Sequence, residues 1–212
     1  MQNLLKARTS IVALLTILII ISLASFAVAC PEYYESGCDG GWAWFGLRGD
    51  NSNIAQGQIL TLDCDAAVSS VEFQYRVTGN PNQDVPSMVE GDEITAVVMD
   101  MDDNIIVTTS NTIPSDTFNG WIEFVFPAGF TVPAGQYRVV TYTNVARQCS
   151  IGFCYEGEDL YEGGQRTFSF DGINGPWNEF NNGYDVAFRV HLDEGTVPTQ
   201  AQHWGSIKGM YR

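Results

Sequence analysis

Five cysteines are the residues of this chain whose chemistry depends most directly on their spacing. Pairing Cys30 with Cys38 and Cys149 with Cys154 leaves Cys64 over as a small core residue, because Cys64 ends an alternating apolar strand. A bridge from Cys149 to Cys154 requires a bend, since five extended residues span about 16 Å and a disulfide joins Cα atoms within about 7 Å. Zinc is disfavoured because no second close cysteine pair and no suitable histidine accompany these cysteines.

The odd number of cysteines also allows a lipid on Cys30, with Cys38 then pairing with Cys64. A bacterial lipoprotein signal usually has a large aliphatic residue three places before the lipidated cysteine. Here Ala27 holds that place and Pro31 follows Cys30. The disulfide from Cys30 to Cys38 is therefore favoured, and the lipid anchor is the alternative.

The run DMDDN, residues 100–104, offers the oxygen ligands that calcium prefers. Its candidate metal ligands are Asp100, Asp102 and Asn104. The EF-hand pattern fails, because Ile105 holds the glycine position and Asn111 the twelfth. A hairpin turn between two apolar strands is the simpler interpretation. Calcium is the one cofactor left open, and none is certain.

Aromatic and polar side chains in the loops are suited to binding a sugar. A sugar's C–H face stacks on an aromatic ring while amides and carboxylates bond its hydroxyls. The candidate ligand-binding residues lie in or beside the loops that follow residue 154: Tyr155, Asp159, Tyr161, Trp177, Asn178, Asn181 and Tyr184. The alternative is that these rings close the ends of the fold as core. For Trp42, Trp44 and Trp121, which stand in strand patterns, the core interpretation is preferred.

No catalytic residues are assigned. The two histidines, His191 and His203, accompany no nucleophile motif. Paired carboxylates build glycosidases, but acids are so plentiful here that one sequence cannot identify a pair. We expect no enzyme, with a glycoside-acting enzyme as the minor alternative.

Short β-strands must position these residues. In SVEFQYRVTG the apolar residues Val71, Phe73, Tyr75 and Val77 alternate with polar ones, which is typical of a strand with one buried face. YDVAFRVHLD repeats that alternation. About ten such strands are separated by Gly, Pro, Asn and Asp clusters. The sequence predicts an all-β fold, an antiparallel β-sandwich of jelly-roll type.

Both ends of the chain differ from the strand region. Basic residues at 6 and 8 precede the apolar run IVALLTILIIISLASFAVA, which predicts a secretory signal peptide over 1–29. The alternative is an uncleaved anchor, since these 19 residues span about 28 Å as a helix. The expected organisation continues with a β-sandwich domain over 30–193, a linker over 194–203 and a C-terminal tail over 204–212.

The tail contrasts with the acidic chain before it. Trp204, Ile207 and Tyr211 share one face of a short helix, and Lys208 and Arg212 add positive charge. We interpret these five residues as a recognition tag for export or attachment, against the alternative of a loosely packed terminus. The tail resembles short W-G-x-I-K-x-x-Y-R endings of exported bacterial proteins.

Charge narrows the partners. The chain has 25 acidic and 10 basic residues, a net charge of −15. Such a surface repels phosphate backbones and anionic lipids, so nucleic acid is not an expected partner. A glycan or a cell-surface component is expected instead, at a secreted or extracellular location. Membrane attachment would require lipid on Cys30 or an uncleaved signal, and the oligomeric state is open.

Four segments in succession, GWIEFVFPAGFTVPAGQYRVV, YEGG, SFDGINGPW and YDVAFRVHL, resemble a class of secreted bacterial jelly-roll domains of the carbohydrate-binding-module kind. The resemblance covers residues 94–193, and it departs from the class where Trp177 stands farther from Asp171. It implies an extracellular accessory role with carbohydrate binding. The predicted function is a secreted, non-catalytic β-sandwich that binds a glycan or other extracellular ligand through its end loops. The alternative is a structural cell-surface or matrix protein attached through its termini.

Overall fold

The structure is a computed structural model that describes residues 33–36, 41–77, 85–154, 161, 163–179 and 184–193. This part of the chain contains thirteen strands and one 3₁₀ helix, Gly172–Asn174. The strands are β1 (Tyr33–Ser36), β2 (Gly41–Leu47), β3 (Asn53–Leu62), β4 (Ala66–Arg76), β5 (Glu93–Met99), β6 (Ile105–Thr112), β7 (Asn119–Val125), β8 (Thr131–Val132), β9 (Gly135–Tyr142), β10 (Gln148–Phe153), β11 (Arg166–Ser169), β12 (Asn178–Glu179) and β13 (Phe188–Leu192).

The strands form two layers that the β2–β3 pairing joins. In sheet A, β4 pairs along one side with β7 and along the other with β13 and β10, which lead on to β1 and β2. Sheet B has the order β12-β11-β3-β9-β5-β6. The short strand β8 pairs with the start of β4. Every one of these strand pairings is antiparallel.

The chain passes repeatedly between the two layers. After β4 in sheet A come β5 and β6 in sheet B, β7 in sheet A, β9 in sheet B, β10 in sheet A, β11 in sheet B and β13 in sheet A. Such crossings are characteristic of jelly-roll sandwiches. The predicted all-β antiparallel sandwich is confirmed, with strands beyond the expected ten that include the two-residue β8 and β12.

The core lies between the layers because alternate residues of each strand point inward. In β4, Val71, Phe73 and Tyr75 are fully buried, and their neighbours in the strand face outward. The Tyr75 ring meets the Phe45 ring edge-on, with centroids 5.3 Å apart. The Tyr75 hydroxyl lies 2.6 Å from Oγ1 of Thr141 on β9, so a hydrogen bond also joins the two layers.

One end of the core is polar. Gln56 and Gln58 occupy inward positions of β3, followed by Leu60 and Leu62 in the apolar part. The buried guanidinium of Arg166 donates two hydrogen bonds to Oε1 of Gln56, at 3.1 and 2.9 Å. Burial lowers the pKa of Arg166 to about 10, so the group remains a cation at neutral pH.

A second pair continues the polar end of the core. Nε2 of Gln58 donates to the buried carboxylate of Asp185, and the Val186 N–H donates to Oε1 of Gln58 at 3.1 Å. Arg166 and Asp185 each come from a segment more than 100 residues away in the chain, so these hydrogen bonds join distant parts of the sequence to β3.

The predicted signal peptide, the linker over 194–203 and the whole tail with its five tag residues lie outside the described residues. Among the residues that are described, no helix is long and apolar enough to cross a membrane.

We predict that Tyr75→Phe lowers the free energy of unfolding by about 1–3 kcal/mol, because the Thr141 hydroxyl is left without a partner in the core. Adding Thr141→Val should recover part of that loss, since both polar groups are then gone. Urea unfolding of the single and double variants measures this coupling. The matched control is Tyr142→Phe, which removes the hydroxyl of the half-buried tyrosine next to Thr141 in the sequence. Equal stability of Tyr75→Phe and the wild type would contradict the hydrogen bond.

Candidate functional site

The outer surface of sheet A carries three of the chain's five tryptophans. Trp42 and Trp44 stand two residues apart on β2, and Trp121 stands on β7. All three are half-buried and none belongs to the buried core clusters. The prediction that they are core residues is therefore wrong. Their strand neighbours Phe45 and Ile122 point inward instead.

We call this surface the tryptophan face and define it by three tryptophans and the polar residues beside them: Trp42, Trp44, Trp121, Arg48, Arg76, Arg189 and Gln74. Strand pairing places part of it in one row. Trp42 is opposite Gly152 on β10, and Gln74 on β4 is opposite Trp121. The β10–β4 register brings Gly152 beside Gln74. Three strand spacings put Trp42 and Trp121 about 14 Å apart.

Gly152 leaves space in this row for the side chain of Gln74. A Cβ atom at Gly152 would lie 2.5 Å from Oε1 of Gln74 and 3.2 Å from its Cβ. The Gln74 side chain thus lies across the glycine, in the space that any other residue would fill. The row therefore consists of two indole rings with an amide between them.

Each tryptophan has an arginine guanidinium over its ring. The distances from guanidinium carbon to ring centroid are 4.7 Å for Arg48 on Trp44, 4.4 Å for Arg76 on Trp42 and 4.1 Å for Arg189 on Trp121. Such stacking contributes about 0.5–2 kcal/mol and fixes the orientation of both groups. Between residues 33 and 193 the chain has six arginines and no lysine, so half of its cations there lie on this face.

The three arginines differ in their ion pairs. Arg189 contacts the carboxylates of Glu35 and Glu72, each at 3.4 Å, and Arg48 lies 3.8 Å from that of Asp50. Within the described residues Arg76 has no ion pair, and its buried Nε has no hydrogen-bond acceptor. Arg76 therefore differs from Arg48 and Arg189, whose guanidinium groups are paired with carboxylates.

The loop residues that the sequence predicts to bind a ligand do not lie together where the structure describes them. Tyr155, Asp159 and Asn181 lie outside the described residues. Tyr161 is part of the core, and its hydroxyl accepts from the Thr61 N–H at 2.8 Å. Burial raises the pKa of Tyr161 to about 12. A ring in this position has no free face for a sugar.

The other three residues that the sequence predicts to bind a ligand lie outside the core. Trp177 packs on the outer surface of sheet B, against the buried cluster of Val97, Met99 and Val140. Asn178 is exposed in β12. Tyr184 is half-buried against the Phe153 ring, with centroids 6.3 Å apart. Trp177 is the only one of the three to present a large aromatic surface on the outside of a sheet.

A cleft of about 440 Å³ lies on the side of sheet B. It is lined by Ile59, Thr61, Met101, Gln136, Gly163, Gly164, Gln165 and Glu179. The Glu179 carboxylate accepts hydrogen bonds from Gln165 at 2.9 Å and from Arg138 at 3.2 Å. Because none of the described residues that line it is aromatic, the cleft is less suited to a sugar than the tryptophan face.

The DMDDN run is a hairpin turn between β5 and β6, so that interpretation is confirmed. Oδ1 of Asp100 accepts from the N–H groups of Asp102 and Asn104, both at 2.9 Å, and Oδ2 accepts from Nδ2 of Asn104 at 2.8 Å. The bonds from Asn104 lower the pKa of Asp100. In the described part of the chain, no group of three His, Cys, Asp or Glu residues is placed to hold a metal. Calcium binding by Asp100, Asp102 and Asn104 stays a prediction.

The cysteines pair differently from the expectation. Cys149 is buried and free, so the predicted bridge from Cys149 to Cys154 is wrong. The physical reason is β10, which runs extended from Gln148 to Phe153 and holds the two cysteines about 16 Å apart. Cys64 and Cys154 each take part in a disulfide, which also overturns the expectation of an unpaired Cys64. Cys30 and Cys38 lie outside the described residues.

No protein-family model matches the sequence, and no curated protein matches it either.

We predict that the Cys149 thiol reacts with iodoacetamide at least roughly 100-fold more slowly in the folded protein than in guanidinium chloride. Burial excludes the reagent and raises the pKa of the Cys149 thiol, so little thiolate forms. Mass spectrometry of the peptide that contains Cys149 measures labelling, and Cys149→Ala identifies the peptide. Equal labelling rates with and without denaturant would contradict the buried thiol.

Proposed function

We propose that this chain is a secreted, non-catalytic β-sandwich that binds an extracellular glycan on the tryptophan face. The observation that carries the proposal is the placement of Trp42, Trp44 and Trp121 on one outer sheet surface, outside the core. Indole rings stack on the C–H faces of sugars, while amide and guanidinium groups bond the hydroxyls. Three partly exposed indole rings on one outer sheet surface form an apolar patch with a polar rim, which is a feature of binding surfaces.

The shape of the face favours an extended chain of sugars. The row from Trp42 to Trp121 crosses four strands, and the residues between its two rings are Gly152 and Gln74. A single sugar would contact one ring only. A chain laid along the row would contact both rings and the amide of Gln74 between them.

The charges beside the row favour a ligand with hydroxyl groups over a polyanion. Glu72 on β4 has Arg189 on one side and Glu123 on the other in the strand register. Both donors and acceptors are therefore present next to Trp121. A net charge of −15 opposes the approach of a polyanion at long range.

Disulfides at Cys64 and Cys154 support the extracellular location, since such bonds persist in oxidising compartments. The proposal retains the signal peptide over 1–29, with the lipid anchor on Cys30 as its alternative, and the tail as an attachment tag. Its partner is a glycan or a glycan-bearing component of a cell surface. It assigns no catalytic residue and needs no cofactor.

We predict that the double variant Trp42→Ala, Trp121→Ala weakens glycan binding by roughly 30-fold or more, as loss of central aromatic contacts does. A glycan array with and without calcium selects the ligand, and isothermal titration then compares the variants. Trp177→Ala, on the outer surface of sheet B, is the matched control and should bind like the wild type.

Replacing Trp42 also removes its stacking with Arg76, so the folding of each variant has to be checked. Thermal melts followed by circular dichroism provide this check. Absence of wild-type binding to every glycan, with and without calcium, would overturn the proposed function. If Trp177→Ala lost binding while the double variant bound like the wild type, the placement of the site on the tryptophan face would be overturned.

A further inference from the structure

β6 forms one edge of sheet B. It pairs with β5 along its whole length, from Thr112 opposite Glu93 to Ile105 opposite Met99. Within the described part of the chain no strand pairs with its other side. There the Thr112 N–H bonds to the side chain of Asn111, and Asn111 in turn donates to the Glu123 carbonyl at 2.7 Å.

The sequence of β6 lacks the features that usually protect an edge strand. Natural edges are kept from pairing by charged residues, proline, bulges or short length. IIVTTSNT has eight residues without a charge or a proline, and six of them are β-branched. Ile105 and Ile106 are 53% and 41% exposed. The register shift between Val98 and Met99 lies at the first residues of β6 and leaves the rest regular.

Three other edge strands that the structure describes are protected. β1 has four residues and includes Glu35, whose carboxylate pairs with Arg189. β7 includes the exposed Glu123. β12 has two residues and includes Glu179. The absence of charge thus distinguishes β6 from β1, β7 and β12, in a chain where 17% of residues are charged.

We propose that β6 pairs antiparallel with β6 of a second copy of this chain and so forms a two-fold symmetric dimer. Antiparallel pairing of two identical strands is self-complementary and closes, because each copy offers the same residues to the other. It would satisfy the open backbone groups of both strands and place Thr and Ser side chains opposite each other.

Charge restricts where two copies can meet. Two molecules that each carry a net charge of −15 repel, and the repulsion is least where the contact surface has no charge. β6 is such a surface, and its partner strand brings no charge either. The dimer joins two copies of sheet B edge to edge and leaves the outer surface of sheet A open, so the inference does not depend on the proposed function.

A contact of one strand pair is small, and a dissociation constant on the order of 10 μM is expected. Sedimentation equilibrium of the intact mature chain, from micromolar to millimolar concentration, measures it. Thr108→Lys puts two ammonium groups near each other at the centre of the paired strands and should raise the dissociation constant at least 30-fold. Thr131→Lys, an exposed threonine on β8, makes the same charge change elsewhere and should dimerise like the wild type.

Hydrogen exchange of the wild type tests the same contact without a variant. Amides of β6 should become more protected as the protein concentration rises. A monomeric wild type at millimolar concentration overturns the proposal, and so does a Thr108→Lys variant that dimerises as tightly as the wild type. Protection of β6 that is independent of concentration would indicate a bound foreign strand and would also overturn it.

Discussion

The alternation of side chains along β4 is the constraint on which the rest of the structure depends. This strand of eleven residues is hydrogen-bonded to β7, β8, β10 and β13. Phe73 and Tyr75 point into the core, and Gln74 and Arg76 point to the outside. A register shift of one residue would exchange these two sets. The register of β4 therefore determines both which of its residues face the core and which lie on the tryptophan face.

The fold could be predicted where a strand has one apolar and one polar side. β4 and β13 alternate so regularly that their buried residues follow from the sequence, and the structure buries Val71, Phe73, Phe188 and Val190 as expected. The Asp100 turn could be predicted because Asp and Asn supply the acceptors and donors that such a turn requires. In each case the information is local.

The tryptophan face could not be found in the same way. GWAWFGLR has large apolar residues on both sides of the strand, so alternation does not show whether Trp44 or Phe45 faces the core. The pairing of β2 with β10 decides it. A signal was nevertheless present, since Arg76 and Arg189 occupy the polar sides of neighbouring strands where a cation over an indole ring is stabilised. The polar end of the core was missed because Gln56 and Arg166 are 110 residues apart.

In the proposed function the outer surface of sheet A, and not the loop residues at the ends of the sandwich, contacts the ligand. The most direct test is a ¹⁵N–¹H spectrum of the indole groups during titration with an oligosaccharide cut from the best-bound glycan. Our account predicts that the signals of Trp42, Trp44 and Trp121 shift together while that of Trp177 stays in place. A shift of Trp177 with no change in the other three would contradict it.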